Sequence, residues 1–252
     1  METHEPWQLA ALLIAGVAAG FINVVAGGGS LLTMPLLIFL GLPESTANGT
    51  ARVAILIQNA SAAVAYRRAG RLDWGLLRPM LAPVLLGACV GAIVASRLPD
   101  TGFRIVLGWV MLACAAIVAL DPSKLYARGQ RPEPRLSAGR LWPTLFVIGL
   151  YGGMIQAGVG YLILGGLTLV LGLPLLEANI LKVVLVFVYT PLAIAAFLFE
   201  GRLDFGLGLV LAAGQAVGGY LGAHAALARG EGFIRLILLL VVIASGLKLL
   251  LD

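Results

Sequence analysis

Long apolar runs separated by short polar turns set the rhythm of the chain. Runs lie at 7–26 (A), 31–42 (B), 46–66 (C), 75–96 (D) and 103–120 (E). After the polar stretch DPSKLYARGQRPEPRLSAGR they resume at 141–157 (A′), 161–173 (B′), 178–199 (C′), 206–228 (D′) and 232–251 (E′). A membrane-crossing helix needs about 20 mostly apolar residues. Most runs approach that length; B and B′ fall short and predict half-helices or re-entrant pieces. The expected fold class is an all-α polytopic membrane protein with two homologous halves of about five apolar segments. The first repeat is placed at 1–121, a cytoplasmic linker at 122–140 and the second repeat at 141–252.

The two halves share more than rhythm. AGRLDWG at 69–75 returns as EGRLDFG at 200–206, 131 residues later. At that offset residues 26–75 fall on 157–206 without a gap, and 19 of the 50 positions are identical. Leu and Ala matches are cheap in apolar sequence. Matched Pro43/Pro174, Asn48/Asn179, Arg71/Arg202 and Asp73/Asp204 are not. The C–D loop carries Arg67, Arg68, Arg71 and Arg78, and the linker carries Lys124, Arg128, Arg131, Arg135 and Arg140. Both are therefore expected on the cytoplasmic side. The C′–D′ loop holds Arg202 against Glu200 and Asp204, and is expected outside. Five segments per half, or three if A–B is a non-spanning hairpin, give halves of opposite topology. If only B failed to span, each half would hold four and the repeat would run parallel. The loop charges favour the inverted arrangement, which with short Gly-interrupted segments is a mark of secondary transporters.

Composition agrees with a bilayer setting. Apolar residues make up 60% and charged residues 12%, with a mean hydropathy of +1.01; soluble domains run at about 45–50% and about 25%. The start, METHEPWQLAALLIAG, has no basic n-region and no clear small-residue cleavage site, so run A reads as the first membrane segment and not as a cleaved leader. The net charge of +5 sits in two loops, as a topology signal does and a nucleic-acid surface does not. Cys89 and Cys114 lie in apolar runs without metal-ligand spacing and read as small apolar filler. There is no HExxH or Walker A motif, and no Asp or Glu deep in a run. Enzyme chemistry, a cofactor, a metal and ATP as the driving force are not expected.

Two constellations are candidates for binding. Gly27-Gly28-Gly29-Ser30 and its counterpart Gly158-Val159-Gly160-Tyr161 each separate a long run from a short one. Glycine permits the tight backbone that breaks a helix, and exposed N–H groups at such a break suit an anion. Ser30 and Tyr161 add hydroxyls; close helix packing is the competing reading. The second constellation pairs Asn48 with Arg52 and Asn179 with Lys182, on one face of C and of C′. If those helices begin after Pro43 and Pro174, each cation lies roughly 12 Å in. A cation at that depth costs about 2.5–3.5 kcal/mol on insertion scales. An anionic substrate would offset the cost; snorkelling or pairing with Glu44 or Glu177 would do so too. Gln58-Asn59 aligns with Tyr189-Thr190, so C and C′ are polar at the same level, and Asn23 and Gln156 precede the Gly-rich breaks. Asp73 and Asp204 follow Arg71 and Arg202 and read as loop-pinning ion pairs.

The stretches GFINVVAGGGSLLTMPLL and LGLPESTANGTARVAILIQNASAAVAYRRAGRLDW resemble the sulfite exporter TauE/SafE family of bacterial membrane permeases, and the likeness runs through nearly the whole chain. The resemblance implies multi-pass inner-membrane transport, in the outward direction, of sulfite or an organosulfonate such as sulfoacetate. The expected partners are that anion and the lipid bilayer, with no nucleic acid. Coupling to protons or membrane potential, and a homodimer, are compatible with it. A carboxylate carrier of the same fold and a non-transporting membrane sensor are the alternatives.

Overall fold

The structure is a computed structural model that describes residues 5–99, 101, 102, 105 and 137–251. Run E apart from residue 105, and most of the linker, lie outside the described residues. The elements are α1 (Pro6–Ala26), α2 (Ser30–Phe39), α3 (Glu44–Arg68), α4 (Trp74–Arg97), α5 (Ala138–Met154), α6 (Val159–Gly165), α7 (Leu175–Phe199) and α8 (Phe205–Leu251). A π-helical turn, Gly166–Val170, extends α6. Gly230 breaks α8 with φ 68° and ψ −161°, leaving a first limb over 205–229 and a second over 231–251.

Among the described residues no strand occurs. Four helices are long and apolar enough to cross a membrane: α1, α4, α7 and α8 as far as Leu238. The 25 residues of α3 are long enough too, but its buried face carries Asn48, Thr50, Arg52, Gln58 and Asn59. Large apolar side chains such as Ile14, Phe39, Val147 and Phe199 point outward, as lipid contact requires.

Helix bounds recur at the sequence offset. Glu44–Arg68 and Leu175–Phe199 are 131 residues apart at both ends, and α4 and α8 start at Trp74 and Phe205. Six of the positive-φ glycines form pairs at the same spacing: 27 with 158, 41 with 172, and 70 with 201. The 10 residues of α2 rise only about 15 Å, half a hydrocarbon core. One apolar cluster gathers Leu9 and Leu12 from the start of α1, Leu40 and Leu42 after α2, Ala47 of α3 and Leu207 of α8. α1 and α2 therefore form a hairpin whose two ends meet. In the second half Gly166 packs on Thr144 and Ile148 of α5, so α6 likewise turns back along α5.

The pairings between helices follow from which residues meet across them. Gly49 of α3 sits against Phe197 of α7 and Arg202 beyond it, and Asn179 Nδ2 of α7 donates to the Tyr66 hydroxyl of α3 at 3.1 Å. The start of each helix meets the end of the other, so α3 and α7 are antiparallel. α1 and the first limb of α8 run parallel: Leu13, Val17 and Phe21 meet Gly214, Gly218 and Gly222 in turn. α4 and α5 are parallel too, with Val84 and Ala88 against Gly149 and Gly153. Each half thus gives up its fourth helix. The first limb of α8 packs with α1 and α3, and α4 packs with α5 and α7.

The repeated loops hold a correction. Asp73 Oδ1 accepts from Gly75 N at 2.7 Å and Leu76 N at 3.2 Å, and Asp204 Oδ1 accepts from Leu207 N at 2.9 Å. Both aspartates satisfy the free N–H groups at the first turn of the next helix and are not ion-pair partners of the neighbouring arginines. Arg202 donates instead to the Leu98 carbonyl after α4.

Small residues let the parallel pairs touch backbone to backbone. A Cβ on Gly91 would lie 2.0 Å from Leu150 O, and one on Gly218 2.0 Å from Val17 O. Gly91→Ala and Gly218→Ala are each expected to cost about 1–3 kcal/mol by overpacking, read as a lower melting temperature in detergent. Gly139→Ala, where a Cβ meets nothing within 4 Å, should not lower it.

Candidate functional site

Two helices, α1 and α5, stop inside the protein, and a helix that stops leaves carbonyls without intrahelical partners. Those carbonyls carry a partial negative charge of about half a unit per helix end. In both places a cation from the other half meets them. Arg52 of α3 donates from one Nη to Gly152 O at 2.9 Å and from the other to Gly153 O at 2.7 Å, with Gln156 Oε1 at 3.5 Å. Lys182 of α7 donates to Asn23 O and Val24 O, each at 3.0 Å, and to Asn179 Oδ1 at 2.7 Å. Arg52 is 0% exposed and Lys182 2%. Neither has a carboxylate partner among the described residues, whereas Arg97 pairs with Glu200 at the surface. The ring of Phe197 faces the Arg52 guanidinium at 5.1 Å.

The two asparagines divide their work differently. Asn179 holds Lys182 directly, as the spacing of three on one helix face suggested. Asn48 makes no hydrogen bond to Arg52. It spans the end of α5, donating to Met154 O and accepting from Gln156 N, both at 3.1 Å. Ser30 belongs to the same bridge: its hydroxyl donates to Gln156 O at 3.1 Å and accepts from Gly158 N at 3.3 Å. The N–H groups at 156 and 158 are therefore occupied in this conformation.

Between the two helix ends the glycine breaks meet. Gly27 has φ 86° and Gly158 φ 72°, backbone that side-chain-bearing residues avoid. A Cβ on Gly160 would lie 2.3 Å from Gly27 Cα. Gly28 is buried beside them, and Gly29 packs on Ala19 and Asn23. Tyr161 is buried in the apolar core around α6 and α7. Gln58 accepts from Asn23 Nδ2 at 3.3 Å, which places it on the α1 side. Tyr189, its counterpart at the offset of 131, lies by Gly152, Gln156 and Arg52 on the α5 side. Asn59 bonds back to Ile55 O at 2.8 Å and Thr190 to Val186 O at 2.6 Å; both serve their own helices. The structure thus gathers the candidates into two clusters, one per broken helix, joined through Gly27 and Gly160.

Sequence reasoning missed the carbonyls of residues 23, 24, 152 and 153 as cation partners, because a backbone acceptor leaves no trace in residue type. It also missed Phe197. A signal existed: Tyr66 occupies the equivalent position and meets the start of the opposite helix in the same way.

The description "Sulfite exporter TauE/SafE" matches this chain over residues 12–249. The chain belongs to the TauE/SafE family. Relatives of this TauE/SafE chain are membrane transporters by name. "Probable membrane transporter protein ORF9" of Sinorhizobium sp. is 31% identical over 97% of this chain and 93% of its own length. A "Probable membrane transporter protein" of Haemophilus influenzae is 28% identical over 97% and 95%. "Probable membrane transporter protein YfcA" of Escherichia coli K12 is 24% identical over 98% and 91%. No solved structure matches. The TauE/SafE chain is accordingly a multi-pass membrane transporter and not an enzyme.

Removing the Asn48 bridge tests its structural share. Asn48→Ala orphans Met154 O and Gln156 N, and a buried orphaned group costs about 1–3 kcal/mol. Its melting temperature in detergent should fall further than that of Asn59→Ala, whose amide serves only its own helix.

Proposed function

We propose that this chain exports a small sulfur-containing anion, sulfite or an organosulfonate such as sulfoacetate, across the bacterial inner membrane by alternating access. The observation that carries the anionic reading is the pair of buried cations, Arg52 and Lys182, without carboxylate partners among the described residues. Capping a helix end returns at most about 2 kcal/mol, while the effective cost of burying an ion is several kcal/mol. The hydrogen bonds to carbonyl and amide oxygens return part of the difference, and an anion in the same protein core would add to it. The choice of sulfur anion rests on the family's description. Outward movement of an anion from an inside-negative cell is downhill by about 2.3 kcal/mol per charge per 100 mV, so no coupling carboxylate is required. Antiparallel α3 and α7, related by the offset of 131, support an inverted repeat.

The bodies that rock are not the two sequence halves. α1, α2, α3 and the first limb of α8 form one, and α4, α5, α6 and α7 the other. Within each, helices lie backbone to backbone along glycines. Between them run polar links, Arg52, Asn48 and Ser30 towards α5 and Lys182 and Asn179 towards α1 and α3, beside a glycine crossing at Gly27 and Gly160 and apolar contact of Ile180 and Val183 with Val24 and Tyr66. Polar links can be exchanged for an anion or water at small net cost; interlocked backbones cannot. Among the described residues the chain crosses between bodies in the two GRLD loops, where Gly70 and Gly201 take φ 66° and 67° in open space. The repeated loop is a repeated hinge.

In proteoliposomes of defined membrane potential, the expected result is saturable sulfite flux, competed by sulfoacetate and not by acetate, and reduced by Arg52→Ala and by Lys182→Ala. Competition by acetate would favour a carboxylate carrier. Crosslinking then tests the bodies on a background without Cys89 and Cys114. A Cβ on Gly49 lies 3.2 Å from that of Phe197, across the bodies, and one on Gly208 lies 3.3 Å from that of Val53, within one body, each a few tenths of an ångström short of the disulfide range of about 3.5–4.5 Å; the Gly49 Cβ also meets Arg202 O at 2.1 Å, so the reduced double variant is the reference for flux. Oxidation of Gly49→Cys/Phe197→Cys should stop flux until the bond is reduced. Oxidation of Val53→Cys/Gly208→Cys should not.

A further inference from the structure

The two cations are alike in burial and unlike in what they have left to offer. An ammonium group has three donors and a guanidinium five. Lys182 spends all three, on Asn23 O, Val24 O and Asn179 Oδ1. Arg52 spends three on Gly152 O, Gly153 O and Gln156 Oε1, and its Nε–H is buried with no hydrogen-bond partner. Beside it the Tyr189 hydroxyl, also buried, lies within reach of the Gln156 side chain, from which its oxygen can accept, and near the guanidinium; its own O–H donates to no group among the described residues. Two guanidinium donors, Nε–H among them, are thus left on the α5 side together with the Tyr189 hydroxyl. On the α1 side the spare donor is the neutral Gln58 Nε2, next to a lysine already saturated.

We propose that the cargo anion is gripped on the α5 side only, an oxyanion oxygen accepting from Arg52 Nε–H and the Tyr189 hydroxyl, while Lys182 is a positioning residue that caps α1 and never touches it. The proposal rests on the anion-transport reading and says which of its residues bear the ligand. The repeat supplies two equivalent helix ends, and the sequence differences between Arg52 and Lys182 and between Tyr189 and Gln58 make one of them a binding site and the other a fixed joint. Gly152 is part of the arrangement: a Cβ there would lie 2.6 Å from the Tyr189 hydroxyl, so glycine leaves room for the ring.

Separation along the helices makes the two roles measurable. Gly49 lies opposite Phe197 and Tyr66 opposite Asn179. Arg52 and Lys182 are each three residues inside those anchors, which leaves roughly 16 Å between them along the axis. Tyr189 stands seven residues from Lys182 on α7, roughly 10 Å of rise, so at an effective dielectric near 20 loss of the Lys182 charge weakens an anion between Arg52 and Tyr189 by about five- to fifteenfold. Loss of a hydrogen bond to a charged group weakens it about 10–100-fold.

The test is binding of sulfite, sulfoacetate, sulfate and acetate to the purified full chain by calorimetry, with melting temperature and flux recorded for each variant. Tyr189→Phe should keep the fold and weaken the bound anion about tenfold or more, raising KM in flux. Gly152→Ala, which displaces the Tyr189 ring, should act in the same direction. Lys182→Gln should lower the melting temperature and maximal flux while weakening binding less than Tyr189→Phe does. If Tyr189→Phe binds as the wild type does, or Lys182→Gln loses more affinity than Tyr189→Phe, the one-sided grip is wrong and the transport reading stands. If the wild type binds none of the four anions, the anion reading itself falls, and the grip with it.

Discussion

α1 and α5 end within the protein, and each ends against a cation delivered by the opposite half. A broken helix in a bilayer cannot leave its last carbonyls bare, because no water reaches them. A buried cation cannot stay unpaired either. Arg52 on Gly152 and Gly153, and Lys182 on Asn23 and Val24, answer both needs at once. The exchange is reciprocal, so neither hairpin is complete without the other half. The glycine contact at Gly27 and Gly160 follows from it, since the breaks can meet only where both helices stop.

The same arrangement separates rigidity from motion. Apolar, glycine-lined contacts join α1 to α8 and α4 to α5 over several turns. At the breaks the two bodies meet through hydrogen bonds that can trade partners, a glycine crossing and a small apolar cluster. A transporter needs stiff bodies and a labile seam, and the chemistry is sorted accordingly. The exchange of the fourth helix also gives the GRLD loops their place, since each carries the chain from one body to the other. Asp73 and Asp204 then start the next helix cleanly while Gly70 and Gly201 supply the turn.

Symmetry of backbone does not entail symmetry of chemistry. Helix ends, break points and loop turns recur at an offset of 131, yet Arg52 aligns with Val183 and Lys182 with Ala51. The cations arrive at equivalent helix ends from positions one residue apart in the repeat, with different reach and different numbers of donors. Their two asparagines diverge as well, one holding its lysine and the other spanning the break.

Much of this was readable along the chain. Apolar run lengths, the offset of 131, the short B and B′ and the buried Arg52 and Lys182 are local or periodic properties, and residue type alone displays them. Positive-φ turns announced themselves as repeated glycines. What the cations touch was not readable, because their partners are backbone carbonyls some 100 and 159 residues away, and a carbonyl looks the same in every residue. Nor could spacing reveal that α4 and α8 cross to the opposite halves, because glycine stripes mark a close contact without naming the partner. Only the tertiary structure decides which glycine face meets which helix, and that choice separates Arg52, with a donor to spare, from Lys182, with none.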